Sequence, residues 1–323
     1  MTSRRHLLTG LAAGLALPGL ARAQGFPTRP ITIVASGAAG GPTDTITRIV
    51  AEAMGPHLSQ PLVVESISGS TVAPLRVANA RPDGYTLLVN NIGMAASATL
   101  FRRLPYDVLT SFAPIGIVSD AAMTVISRPD FPAADLADLV NVLRQQGDRI
   151  NLAGSGLSSA SNLCGLLVQH AAEAKATVIG FRGSAPAITE LMAGRIDIFC
   201  DQATNTIPYI RENRIRVWGV TGERRLQGLP NVPTAAEAGF PGIAMSTWHG
   251  MYAPAGTPEE IQLQISAALR AALKDDRLRQ RFAELLTDPA TEERATVAFH
   301  RRFLAEEVAR WRPIIEAAGA YAD

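Results

Sequence analysis

Short apolar runs alternate along the chain with longer stretches whose hydrophobic residues recur every three or four positions. Ile31-Thr32-Ile33-Val34-Ala35 has the β-branched density of a buried strand, and a glycine-rich turn follows it. Beyond the turn, Ile46, Ile49, Val50, Ala53, Met54 and Leu58 share one helical face, with Gly55-Pro56 in its last turn. Leu62–Glu65 and Tyr85–Val89 read as further strands, the second introduced by the turn Pro82-Asp83-Gly84. The middle of the chain repeats the plan. Met123–Ser127 is strand-like, Leu136–Gln145 helical and Ile150–Ala153 strand-like. A turn rich in glycine and serine (Gly154–Ser159) then leads into a helix with Leu163, Leu166, Leu167, His170 and Ala171 on one face. Ala176–Gly180, Ile196–Cys200 and Ile215–Val220 supply more strands, and Pro186–Met192 and Thr206–Arg211 short helices. After Thr257-Pro258 the pattern is helical almost to the end. Such alternation predicts an α/β protein with parallel, doubly wound sheets. Two units and a helical tail predict two lobes, residues 24–119 with 247–323 and residues 120–246. The chain would cross near Ile115–Ser127 and return near Met245–Ala253.

Composition narrows the class. Of 323 residues, 47% are hydrophobic and 18% charged, which excludes an intrinsically disordered chain. The first 23 residues stand apart. Ser3-Arg4-Arg5 precedes an apolar run from Leu7 to Leu20, and Ala21-Arg22-Ala23 has the small residues of a cleavage site. They predict a twin-arginine-like export signal cleaved after Ala23, hence a periplasmic location; the run is too short and too rich in glycine for a membrane anchor. Losing Arg4, Arg5 and Arg22 takes 30 bases to 27 against 29 acids. A charge near −2 without a basic cluster argues against nucleic acid. Cys164 and Cys200 each lie in an apolar run, where a buried free thiol is the commoner state, although an oxidising compartment permits a bridge. The five histidines are isolated, so neither a metal nor a cofactor is expected.

The informative feature is a pair of strand–turn–helix units, one in each half. The first turn, Ser36-Gly37-Ala38-Ala39-Gly40-Gly41-Pro42-Thr43-Asp44, and the second, Gly154 to Ser161, are built from small residues. Small residues let backbone approach a ligand, and the following helix points free N–H groups at the same place. Two such ends facing one another would hold a carboxylate without an arginine or lysine. Neither turn carries a phosphate-loop pattern, and no nucleophile elbow is present. Asp44 is expected as a helix N-cap, His249 as a packing or ligand-orienting group, and Asp201, rather than Asp197, at the cleft. An exported hydrolase using Asp44 or His249 is the rival from another class.

Long stretches of this sequence resemble the Bug receptors, the periplasmic substrate-binding proteins of tripartite tricarboxylate transporters. They are Gly40–Asp44, Arg81-Pro82-Asp83-Gly84-Tyr85-Thr86-Leu87-Leu88, Phe181-Arg182-Gly183-Ser184-Ala185-Pro186-Ala187, Leu229–Gly239 and Tyr252–Pro258. The resemblance implies a type II periplasmic-binding-protein fold with the ligand cleft between its lobes. It also implies a monomer that takes up a small organic acid through backbone amides and ordered water, then meets a membrane permease or a sensor protein. Carried over, the site comprises Ser36, Ala38, Gly40, Gly41, Thr43 and Asp44 in the first loop. The second contributes Ser155, Gly156, Leu157, Ser158, Ser159 and Ser161, with Gly183, Ser184 and Asp201 on the second lobe's wall. The chain departs from the family pattern at Pro42, at Gly69–Pro74, at Asn90-Asn91-Ile92-Gly93-Met94, and at Leu157 and Asn162. With Asn91 and Met94 at the site beside Leu157, the expected ligand is an aromatic or otherwise hydrophobic carboxylate.

Overall fold

The computed structural model describes residues 25–322, so the expected export signal lies outside the described residues. The first half runs β1 (Ile31–Ser36), α1 (Pro42–Leu58), β2 (Leu62–Ile67), α2 (Val72–Ala78), β3 (Thr86–Asn91), α3 (Gly93–Leu100) and β4 (Phe112–Ser127). The second contributes α4 (Leu136–Gln146), β5 (Asn151–Gly154), α5 (Ala160–Ala172), β6 (Thr177–Gly180), α6 (Ser184–Met192), β7 (Ile198–Gln202), α7 (Ala203–Arg211) and β8 (Arg216–Val220). The chain ends with β9 (Ser246–Pro254), α8 (Glu259–Ala272), α9 (Asp276–Glu284), β10 (Thr287–Pro289) and α10 (Val297–Ala318).

The two lobes repeat one topology. In the first, β2-β1-β3 are parallel, and β9 and then β4 add antiparallel strands beyond β3. In the second, β6-β5-β7 are parallel, and β4 and then β8 follow in antiparallel sense. β4 serves both: Phe112–Ala122 pair with β9, while Met123–Ser127 pair with β7 and β8. Its side chains are buried except at Asp120 and Ala122, which are half-buried. β10 pairs with β4 at Ser119–Ala121, in the middle of the crossing.

The apolar stripe of α1 packs as its spacing requires, with Ile46, Ile49, Val50, Met54 and Leu58 buried against the first sheet. Each such side chain contributes about 1.5–3 kcal/mol relative to exposure. Other elements differ from the sequence pattern. The buried face of α5 is Leu163, Cys164, Leu167 and Val168, rotated from the expected one, and His170 is exposed. That rotation sets Cys164 against β7 with a Cα–Cα distance of 5.9 Å to Cys200, and the two form a disulfide rather than free buried thiols. α2 and α3 occupy stretches that lack a long apolar period, and β10 interrupts the helical tail. β6 is a strand, but every residue of it is exposed at the sheet's outer edge. Among the described residues no helix is long and apolar enough to cross a membrane.

Candidate functional site

The carboxyl ends of β1, β3, β5 and β7 point into the gap between the lobes, the place where open α/β sheets leave room for a ligand. A cavity of about 250 Å³ lies there. It is smaller than the ~300–1,000 Å³ typical of pockets for drug-sized molecules. The first lobe supplies Ser36, Gly37, Ala38, Gly41, Pro42 and Thr43 from the β1–α1 turn, Ser68–Ser70 from the β2–α2 turn, and Asn90 and Asn91 from the end of β3. The second supplies Ser155, Gly156 and Ser158–Ser161, then Phe181–Ser184, and Asp201 and Gln202 from the end of β7.

Three helices begin at this cavity. Pro42 and Thr43 open α1, Ala160 and Ser161 open α5, and Ser184 opens α6, while Gln202 is the residue before α7. First-turn N–H groups have no partner inside their own helix. Each helix end contributes about 0.3–1 kcal/mol towards an anion, up to about 2 when partly buried. Pro42 removes no donor from the helical ladder, because it stands at the first helical position, where proline is favoured. Among the described residues, the ionisable side chains that line the cavity are Arg182, exposed at the mouth, and Asp201, in the wall.

Asp44 is not the N-cap; Gly41 is, and Asp44 sits in the first turn of α1. Its carboxylate accepts from the Gly40 N–H at 2.8 Å, from the Ser66 hydroxyl and from Arg48. Burial acts to raise its pKa, but the bonds from Arg48, Ser66 and Gly40 outweigh it and hold the carboxyl below its ordinary value. The Gly40 N–H is thereby committed, and Asp44 braces the turn from behind. Neither lines the cavity.

Met94 and Leu157 also lie elsewhere. Met94 is fully buried in the core, its sulfur 3.5 Å from Asn90 Nδ2. Leu157 is half-buried, and its carbonyl accepts from Asn162 Nδ2 at 2.8 Å. The wall is therefore made of small and polar residues, with Phe181 its one large apolar side chain. Asn91 is at the wall, and its Oδ1 accepts the Gly93 N–H at 2.9 Å. Ser68 and Gln202 line the cavity although no local motif marks them, and Ser70 and Asn90 do so within stretches noted above only as departures from the family pattern; the available signal was position, each following a predicted strand at its carboxyl end.

Asp201 is 1% exposed. Its Oδ1 accepts from the hydroxyls of Ser161 (2.8 Å) and Ser184 (2.9 Å), and its Oδ2 from Asn205 Nδ2 (2.7 Å). Burial pushes its carboxyl up, against the opposing pull of Asn205, Ser161, Ser184 and the Gln202 backbone. Asp197 lies elsewhere, joined to Arg128 at 2.9 Å. His249 is fully buried on β9 with its Nδ1 3.1 Å from Ser119 Oγ, its partner in the ladder with β4. It pins the crossing strands together and does not itself line the cavity.

The lobes touch around the cavity. The Ser158 N–H meets Ser70 Oγ at 3.3 Å. Gly183, at φ 128°, lies so close to the first lobe that a Cβ on it would come within 2.6 Å of Ala38 Cβ. A Cβ on Gly93 would overlap the Ser158 carbonyl oxygen.

Residues 46–320 match the family model for the tripartite tricarboxylate transporter family receptor. The chain is 39% identical over 306 residues to a UPF0065 protein from the TAR-I ttuE-ttuC' intergenic region of Agrobacterium vitis, covering 94% of this chain and 88% of that one. The solved structure of the periplasmic binding protein BugD is similar with a TM-score of 0.89 and 35% identity, covering 92% of this chain and all of BugD. MatC from Rhodopseudomonas palustris, solved with bound malate, is similar with a TM-score of 0.87 and 34% identity over 90% of this chain and all of MatC.

Proposed function

Because this chain belongs to the tripartite tricarboxylate transporter receptor family, we propose that it captures a small organic carboxylate in the periplasm and presents it to a membrane permease. It is a solute-binding protein and not an enzyme. The observation that carries the reading is the arrival of three helix N-termini, from both lobes, at one small cavity walled largely by serine, glycine and asparagine. Closure removes water from the carboxylate and so strengthens each amide contact to it. Charge-assisted hydrogen bonds of this kind contribute about 1.5–3 kcal/mol each.

Similarity to BugD, a periplasmic binding protein, supports the location; an export signal cleaved after Ala23 would deliver the chain there. Similarity to MatC, which holds malate, supports a carboxylate as the ligand. The expected aromatic or hydrophobic acid rested on Met94 and Leu157, and neither lines the cavity. The small cavity leaves the choice among small carboxylates to the groups at the helix ends. The receptor acts as a monomer. Calorimetric titration of the purified protein with a panel of mono-, di- and tricarboxylates tests the reading: micromolar or tighter binding of at least one acid is expected. Exclusive binding of sugars or cations would overturn it.

A further inference from the structure

A covalent bond and a hydrogen bond join the same two elements behind the second lobe's wall. The disulfide runs from Cys164 on α5 to Cys200 on β7. Three residues before Cys164, the Ser161 hydroxyl donates at 2.8 Å to Asp201, the residue that follows Cys200. Ser161 and Asp201 line the cavity; the cysteines, both fully buried, do not.

Together the two bonds hold a helix end. Ser159 caps α5, its Oγ accepting the Asn162 N–H at 3.1 Å and its carbonyl the Leu163 N–H at 3.1 Å. The Ala160 and Ser161 N–H groups are left as first-turn donors with no partner in their own helix. Such donors serve an anion well only when they are already in place, because a helix end that must first be ordered loses part of the contact's free energy to that ordering. The turn leading into α5 is poorly suited to fix it. It is built from serines around Gly156, which stands at φ 120°, and glycine leaves the backbone more freedom than any other residue. The Asp201 carboxylate is itself shared, since its Oδ1 also accepts at 2.9 Å from Ser184, the first residue of α6.

The chain segments that the bridge joins point the same way. Its span of 36 residues encloses Phe181–Ser184, one of the wall segments, and ends one residue before Asp201 and Gln202, another. The third wall segment of this lobe ends at Ser161, one helical turn from Cys164. All three are therefore tied at one place.

We propose that the Cys164–Cys200 bridge is a positioning element of the ligand site: it fixes the first turn of α5 against β7, so that the protein binds its ligand tightly only with the bridge formed. The proposal rests on the carboxylate reading above and adds a condition to it. The sulfur atoms touch no ligand; they act through Ser161, Asp201 and the α5 amides.

The test compares oxidised wild-type protein with Cys164→Ala/Cys200→Ala by titration calorimetry, using lactate, malate, adipate and citrate. The best-bound acid should bind the variant about 5- to 150-fold more weakly, the usual span of coupling between linked sites. Wild-type protein refolded with dithiothreitol, which takes both sulfurs to thiols as it closes to its own cyclic disulfide, should match the variant. Leu304→Ala opens a cavity on α10 in the first lobe, away from the wall, and lowers stability by another route. It should bind within threefold of wild type. Thermal denaturation checks that each protein is folded. Hydrogen exchange without ligand adds a local reading: the Asn162 and Leu163 amides should exchange at least tenfold faster once the bridge is gone, while Thr45 and Ile46 of α1 stay unchanged. Affinities within threefold with and without the bridge, unchanged exchange at Asn162 and Leu163, or an equal loss in Leu304→Ala would each overturn the proposal. These results would leave carboxylate capture standing. Failure of every acid to bind the oxidised protein would overturn both.

Discussion

Replacing Gly93 with alanine should abolish tight binding while leaving the fold intact. Gly93 is the first residue of α3 in one lobe, and Ser158 faces it from the other. A Cβ there would overlap the Ser158 carbonyl oxygen and lie 2.9 Å from its carbonyl carbon. The Ser158 segment cannot easily retreat. It is tied by Ser159, whose hydroxyl donates to the Gly156 carbonyl at 2.7 Å and whose Oγ accepts the Asn162 N–H at 3.1 Å. Relief therefore comes from parting the lobes, which breaks the Ser158–Ser70 contact and pulls one wall away from the ligand. Losing two charge-assisted hydrogen bonds, at about 1.5–3 kcal/mol each, weakens binding by about 10²- to 10⁴-fold. Stability should hold, because alanine is a better helix former than glycine. The assay pairs calorimetry, using the tightest acid of the panel, with thermal denaturation and small-angle scattering. Wild-type protein should contract on adding that acid, and Gly93→Ala should not. A variant that melts normally and binds within threefold of wild type would refute the reasoning.

Removing the disulfide with Cys164→Ala/Cys200→Ala should cost about 4 kcal/mol, from the chain-entropy estimate for a sequence separation of 36 residues, read by urea unfolding. His249 is held neutral by burial, its pKa lowered to about 3. The unfolded chain gains that proton near pH 6.5 while the folded protein does not, so stability drains away between pH 6.5 and 3 at up to about 1.4 kcal/mol per unit. His249→Gln should remove that contribution to the slope, whereas Asp120 and Asp201, whose pKa values are raised, act in the opposite sense. Asp44→Asn should lower stability by about 1–2 kcal/mol at pH 7, because a depressed carboxyl stabilises only while ionised. The difference from wild type should shrink as pH falls below about 4.

The elements readable in the sequence were those with a strong period or a dense apolar run. Ile46 to Leu58 gave α1 its face, and Ile31–Ala35 gave β1, because propensity and burial agree there. α2 and α3 were hidden because Pro74, Gly93 and a run of alanines and serines carry little helical periodicity; packing onto β3 and α10 holds them. The disulfide depends on how α5 turns about its own axis, which one intermediate residue such as Leu166 can disguise. Within the cavity, the two turns announced themselves by glycine and serine. Gln202 did not, since only the pairing of β7 with β4 brings that residue to the wall.

The three-stranded waist also governs how the molecule can move. β4 keeps its ladder to β9 over nine register positions and to β10 over three, and Thr287 of β10 also bonds Thr204 of α7 at 2.7 Å. A rotation about this braid need break no backbone hydrogen bond. A turn that keeps these ladders paired would make or break the lobe contacts at Ser158–Ser70 and Gly183–Ala38, so occupancy of the gap bears directly on which posture the receptor holds.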